Sequence, residues 1–195
     1  MTAFKTELPK MEFRPVTPDH WADLEELFGP RGACGGCWCM YWHETRAEYE
    51  KKKGEANRRA LKRLVTNGPP PGLLAYADGR PIGWCAFAPR ETYTTLARSR
   101  VLAPVDNARV WSVPCFFIAR EFRRSGLTSK LLAAAAEYAR KQGAKVLEGY
   151  PVEPKKGSMP DAFAFTGLVG AFKKAGFKEA ARRSATRPIM RLGLK

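Results

Sequence analysis

Two stretches of this sequence carry residue types and spacings that could do chemistry. The first is Phe116-Phe117-Ile118-Ala119-Arg120-Glu121-Phe122-Arg123-Arg124-Ser125-Gly126-Leu127-Thr128-Ser129-Lys130-Leu131-Leu132. It reads as an apolar strand, a short basic turn containing glycine, and a helix opening directly from that turn. The first amides of a helix have no intrahelical acceptor and carry the positive end of its dipole, so the pattern can cradle an anion. Gly126 lets a phosphate approach the backbone with no Cβ in the way, and Arg123 and Arg124 add charge. The glycine spacing is neither that of a Walker A loop nor that of a Rossmann fingerprint. As a bare pattern, a purely structural strand, turn and helix stands as the alternative.

The second stretch is Cys34-Gly35-Gly36-Cys37-Trp38-Cys39, followed by Met40-Tyr41-Trp42-His43. Thiolates and imidazole are the usual ligands of zinc, and three cysteines and a histidine fall within ten residues here. Structural zinc sites generally join two separated ligand pairs, whereas every candidate here lies in one short loop. The expectation is therefore no metal, with Trp38, Tyr41 and Trp42 packing around a substrate pocket. In an extended stretch Cys37 and Cys39 would point one way and Trp38 the other, which suits a pocket wall. Metal binding or redox sensing by these cysteines is kept as the competing reading. Cys115 lies in an apolar strand, where cysteine usually serves as a small hydrophobe.

Elements that must hold these stretches can be read along the chain. Residues 11–16 form a strand, and Thr17-Pro18 caps a helix with the apolar stripe Trp21, Leu24, Leu27 and Phe28, stopped at Gly29-Pro30. After the cysteine turn comes a charged helix over about 44–65, weakened at Gly54, and 67–71 breaks the chain. Leu73–Ala77 and Ile82–Ala88 pair as a hairpin through Asp78-Gly79-Arg80-Pro81. Residues 92–106 are an excursion with room for a short helix, and Arg109–Ile118 is the most strand-like stretch. Gly126–Gln142 is the clearest helix, with Leu127, Leu131, Ala134, Ala135 and Tyr138 on one face and Gly143 after its end. Val146–Val152 reads as a strand and Asp161–Lys174 as a helix ending at Gly176. Strands near 177–183 and 186–192 finish the chain. The order is that of a mixed α/β (α+β) sheet in one domain spanning 1–195.

Composition narrows the classes. At 195 residues and 45% hydrophobic, the chain suits one core. No apolar run approaches the ~18 residues that span a bilayer, which excludes an integral membrane protein. Met1–Lys10 lacks the apolar stretch of a secretory leader, and five cysteines with three in one turn do not make a disulfide framework. A cytoplasmic protein is the expectation. The 34 Lys and Arg against 19 Asp and Glu leave a net charge of +15, which favours anionic partners.

With these residues in view, the chain resembles the GNAT superfamily of acetyl-CoA-dependent N-acetyltransferases. The family signature, Arg/Gln-x-x-Gly-x-Gly/Ala after an apolar strand, is matched by Arg123-Arg124-Ser125-Gly126-Leu127-Thr128, with Thr128 departing from the usual small residue. Phe172-Lys173-Lys174-Ala175-Gly176-Phe177 resembles the Gly-Phe ending of the family's last helix, and the element order agrees from 11 to 192. The resemblance implies acetyl-CoA as co-substrate, with its pyrophosphate on the turn (Arg123, Arg124, Ser125, Gly126, Leu127, Thr128, Ser129). It implies pantetheine contacts from the backbone of Phe117 and Ile118, one amide there polarising the thioester carbonyl. The strand Val146–Val152 would splay from 109–118 to admit the cofactor, and an amine would attack the thioester directly.

The sequence also departs from the family. A tyrosine acid often precedes the final Gly-Phe, and Phe172 stands there, unable to donate a proton. No carboxylate lies in 109–118. Glu148 and Tyr150, two residues apart on one strand face, are the substitute catalytic candidates, against a reading of Glu148 as a solvated edge residue and Tyr150 as packing. The aromatic loop favours a small-molecule amine over a protein lysine as acceptor, and a homodimer stays open. The competing classes are a basic nucleic-acid-binding protein and a cysteine-based metal or redox sensor on the same scaffold.

Overall fold

The computed structural model describes residues 11–155 and 159–195, so the reading of Met1–Lys10 lies outside the described residues. Among these residues seven strands form one sheet: β1 (Met11–Pro15), β2 (Gly72–Ala77), β3 (Arg80–Pro89), β4 (Trp111–Ile118), β5 (Val146–Gly149), β6 (Lys178–Arg182) and β7 (Pro188–Gly193). Their order is β1-β2-β3-β4-β5-β7-β6. All neighbours are antiparallel except β4 and β5, which run parallel. Leu74 and Tyr76 pack on one face of β2, and Leu73, Ala75 and Ala77 on the other. Both faces are covered, which explains why β2 and β3 read as continuous apolar runs. No helix of the described residues is long and apolar enough to cross a membrane.

Among the described residues six α-helices flank the sheet: α1 (Trp21–Phe28), α2 (Arg46–Lys52), α3 (Glu55–Asn67), α4 (Thr94–Arg98), α5 (Leu127–Lys141) and α6 (Val169–Lys174). α5 packs its Leu127, Leu131, Leu132, Ala135, Ala136 and Ala139 face across β2, β3 and β4. α1 lies against the opposite face of β3 and, with the cysteine loop, encloses the second half of the core.

Several expected elements are shorter or divided. Pro18–His20 is a 3-10 turn leading into α1, and the Thr17 hydroxyl meets His20 Nδ1 at 3.0 Å instead of capping a backbone amide. The charged helix breaks at Lys53-Gly54. There Gly54 N–H donates to Gly36 O at 2.9 Å, tying the break to the cysteine loop. α2 starts at a capping box between Thr45 and Glu48, a signal that would have separated it from the turn before. β5 ends at Gly149, and Val152 makes a lone parallel bridge to Leu168. The helix expected over 161–174 is a 3-10 turn at Asp161–Phe163 and then, after Gly167, α6.

Candidate functional site

β4 and β5 pair over three residues, Trp111↔Leu147, Ser112↔Glu148 and Val113↔Gly149, and then separate. The next residue of β4 is Pro114, which has no amide hydrogen to continue a ladder. β4 also carries one residue more than β3 between Cys115 and Ser112, a bulge that bends its second half. A proline beside a bulge marks the point where the sheet opens, and the proline was available in the sequence as a signal for it. Into the wedge comes the segment before α6: Phe116 N–H donates to Phe165 O at 2.7 Å, and Val152 N–H to Gly167 O at 2.9 Å.

A cavity of about 940 Å³ runs from this wedge to the start of α5 on one side and to the cysteine loop on the other. At the α5 end the backbone turns through Arg124 (φ +61°) and Gly126 (φ +83°). Gly126 is the N-cap, and no side chain caps the helix. Ser129 and Lys130 amides reach back to Gly126 O at 3.1 and 3.4 Å, leaving Gly126, Leu127 and Thr128 amides without an intrahelical acceptor. Gly126, Leu127 and Thr128 line the cavity with Arg123 and Arg124. A Cβ on Gly126 would stand 3.8 Å from Lys174 Nζ, so α6 brings a third cation to the turn that the sequence reading missed.

The two serines of the turn are engaged elsewhere. Ser125 Oγ donates to Phe122 O at 2.6 Å, and Ser129 Oγ to Ala171 O at 3.0 Å, the latter fastening α5 to α6. Neither serine side chain lines the cavity. Arg123 bonds Asp161 Oδ2 at 3.0 Å and Ile118 O at 3.1 Å. Along β4, Ala119 N–H donates to Ile82 O across the β3 side. Strand alternation then turns the Phe117 amide to β3 and the Ile118 amide to the wedge.

At the other end, Cys34, Cys37, Cys39 and Tyr41 line the cavity together with Cys115, Tyr49 and Phe165. The loop is not extended. Trp38 (φ +42°) and Cys39 (φ +57°) lie in the left-handed region, and it is this turn that sends the thiols to the cavity and Trp38 inward. Trp38 is buried against Trp21 and Phe28, with ring centroids at 6.1 and 5.6 Å, and is absent from the cavity wall. Trp42 is likewise buried, packed on Tyr150 and Phe165. Of the three aromatic residues expected at the pocket, Tyr41 alone lines it. Cys39 Sγ accepts Trp84 Nε1–H at 3.2 Å, and Cys37 donates to Gly32 O at 3.6 Å. Burial pushes the Cys37 thiol up, and a hydrogen bond with Cys39 together with burial pushes Cys115 well up. The Cys37 and Cys115 thiols are therefore neutral. His43 faces Tyr93 at 4.8 Å and lies outside this cavity. Among the described residues no group of three or more Cys, His, Asp or Glu is placed to hold a metal ion.

Glu148 and Tyr150 do come together, but behind the wedge. Both are completely buried, and neither lines the cavity. Tyr150 donates to Glu148 Oε1 at 2.7 Å and also meets Ser112 Oγ at 2.7 Å. Glu148 is clamped by Arg90 at 2.8 Å and Arg191 at 2.7 Å. Burial, with the Glu148 charge beside it, holds the Tyr150 hydroxyl far above its ordinary ionisation range. Arg90 continues to Leu96 O at 3.3 Å and Leu102 O at 2.5 Å, so the cluster staples the 92–106 excursion to the sheet. Glu148 is thus a buried ion-pair hub and not a solvated edge residue. Sequence alone offered no pairing of Arg90 with a residue 58 positions away.

PaiA N-acetyltransferase from Thermoplasma acidophilum, solved with coenzyme A, is similar over 94% of this chain and 99% of its own, at 16% identity and a TM-score of 0.51. The yncA protein of Salmonella typhimurium, solved with acetyl-CoA, is similar over 95% and 94% at 15% identity and a TM-score of 0.52. A GNAT family acetyltransferase from Listeria monocytogenes covers 100% and 99% at 11% identity and a TM-score of 0.59. At these identities the likeness is one of fold. No curated protein matches in sequence. The family model described as the acetyltransferase (GNAT) family matches residues 37–156, which contain the wedge, the turn at Gly126 and the cysteine loop from Cys37 onward. The chain belongs to the GNAT acetyltransferase family.

Proposed function

We propose that this protein is an N-acetyltransferase that uses acetyl-CoA and a small-molecule primary amine. One observation carries the reading: the uncapped start of α5, with three unclaimed amides and the charges of Arg124 and Lys174, opens on a cavity at the place where β4 and β5 part. That end suits a pyrophosphate, held by the Gly126, Leu127 and Thr128 amides with Arg123 and Arg124 beside them. The Ile118 amide, facing the wedge, suits the pantetheine arm or the thioester carbonyl. Acetyl-CoA supplies an activated acetyl group, and the acceptor amine enters from the cysteine-loop end.

The residues present also limit the proton chemistry. Among the described residues lining the cavity the only carboxylate is Asp161, held by Arg123. Glu148 and Tyr150 act as positioning residues, since neither reaches the cavity and Tyr150 already donates to Glu148. The amine therefore reacts in its neutral form, its proton leaving to solvent. The test is calorimetric titration with acetyl-CoA, followed by thiol release across a panel of primary amines. Wild-type protein should bind acetyl-CoA, and Gly126→Glu should not, because it places a strained backbone and a negative charge on the turn. Undiminished affinity in that variant, or thiol release indifferent to every amine, refutes the assignment.

A further inference from the structure

Arg187 stands out in the cavity because its guanidinium meets no anion among the described residues. It is half-buried in the turn before β7 and lines the cavity. Among the described residues its side-chain partner is the Thr166 hydroxyl at 3.0 Å, and no carboxylate pairs with it. Other guanidiniums that are partly buried here are neutralised: Arg90 and Arg191 by Glu148, and Arg58 by Glu25. Burial lowers the proton affinity of Arg187, yet a guanidinium remains charged at any physiological pH. A desolvated cation among apolar walls is costly unless an anion meets it.

Its location assigns that anion to the acceptor. Thr166, which Arg187 bonds, follows Phe165 in the chain, and Phe165 packs edge-on to Tyr41 at 5.7 Å, as Tyr41 does to Tyr49 at 5.4 Å. These aromatics form the cysteine-loop end, while the phosphate-type cradle at Gly126 has Arg123, Arg124 and Lys174 of its own. The same end holds no carboxylate among the described residues, so nothing there would receive a second positive charge on a substrate.

We infer that the acceptor is an amine carrying a carboxylate and an apolar or aromatic body, and that Arg187 fixes it by a two-pronged bond to that carboxylate. With one Nη–H given to Thr166, the fork still has donors for both carboxylate oxygens. Basic acceptors such as polyamines and lysine-rich peptides are selected against. This rests on the acetyltransferase reading above.

The test uses CoA, and then phenylacetate and phenylacetamide in the presence of saturating CoA, titrated calorimetrically into wild-type, Arg187→Met and Arg187→Lys proteins. Wild type should bind phenylacetate roughly ten- to a hundredfold more tightly than the amide, the range of a charge-assisted hydrogen bond lost. Arg187→Met should lose that preference and keep its affinity for CoA and its melting temperature. Arg187→Lys should retain part of the preference, because it keeps the charge without the fork. Equal binding of acid and amide by wild type, or no binding of the acid, overturns the inference while leaving the enzyme reading standing. A loss of CoA affinity in Arg187→Met overturns it by assigning the guanidinium to a cofactor phosphate. Failure of wild type to bind CoA removes the enzyme reading and this inference together.

Discussion

Phe172 fills the space that a side chain on Gly149 would need: a Cβ built there would stand 2.1 Å from Phe172 Cε1. Gly149 is the last rung of the parallel pairing, opposite Val113. Phe172 is fully buried and meets Phe116 at 6.1 Å and Phe177 at 5.0 Å, both nearly edge-on. The aromatic ring at this place in α6 is therefore packed against the point where the sheet opens.

Gly149→Ala should lower stability by about 1–3 kcal/mol through overpacking. Phe172→Ala should cost about 3–5 kcal/mol through the cavity it leaves. Urea unfolding of the two single variants and the double variant gives the coupling. The double variant should be less destabilised than the sum of its parts, because Gly149→Ala gains room once the ring is gone. Strict additivity would contradict this packing.

Glu148→Gln should behave as the loss of a buried ion-pair hub. It leaves Arg90 without a carboxylate and Arg191 with Asp106 alone, at a cost of about 3–5 kcal/mol. In the fraction that remains folded, acetyl-CoA affinity should stay near wild type, because Glu148 does not line the cavity. A stable variant with a large fall in kcat would return Glu148 to direct chemistry.

The cysteine loop separates into a packing residue and cavity thiols. Trp38→Ala should destabilise the domain by about 3–5 kcal/mol, since the indole is core. Cys34→Ser combined with Cys37→Ser should remain folded and keep acetyl-CoA binding. Stoichiometric zinc in the purified protein, together with unfolding of the serine variant, would count against this division.

His43 gives a stability that depends on pH. Burial lowers its pKa from 6.5 to about 4 in the folded protein. Between those values the unfolded chain takes up a proton that the folded chain refuses, so the contribution is whole above 6.5 and declines as pH falls toward 4. His43→Gln should flatten this part of a melting-temperature profile between pH 7 and 4. An identical slope in both proteins would rule His43 out as its source.

Much of the fold follows from short-range signals. The hairpin at Asp78-Gly79, the period of α5 and the glycine after it, and the two-faced apolar runs of β2 and β3 all depend on neighbours within one element. The chemistry of the turn at Gly126 is local for the same reason, because helix-start amides and a left-handed glycine are properties of a few consecutive residues. Even the opening of the sheet had a local mark in Pro114. What the sequence could not settle depends on charges and rings that meet across the fold. The Glu148 cluster joins β5 to Arg90 and Arg191, 58 and 43 positions away. Trp38 and Tyr41, three residues apart, part company because left-handed turns at 38 and 39 send one into the core and leave the other on the cavity wall. Arg187 reads in the sequence as one more basic residue among 34. Its significance is that folding brings it to an apolar cavity where, among the described residues, no carboxylate pairs with it, and the desolvation of that one charge is decided by tertiary packing alone.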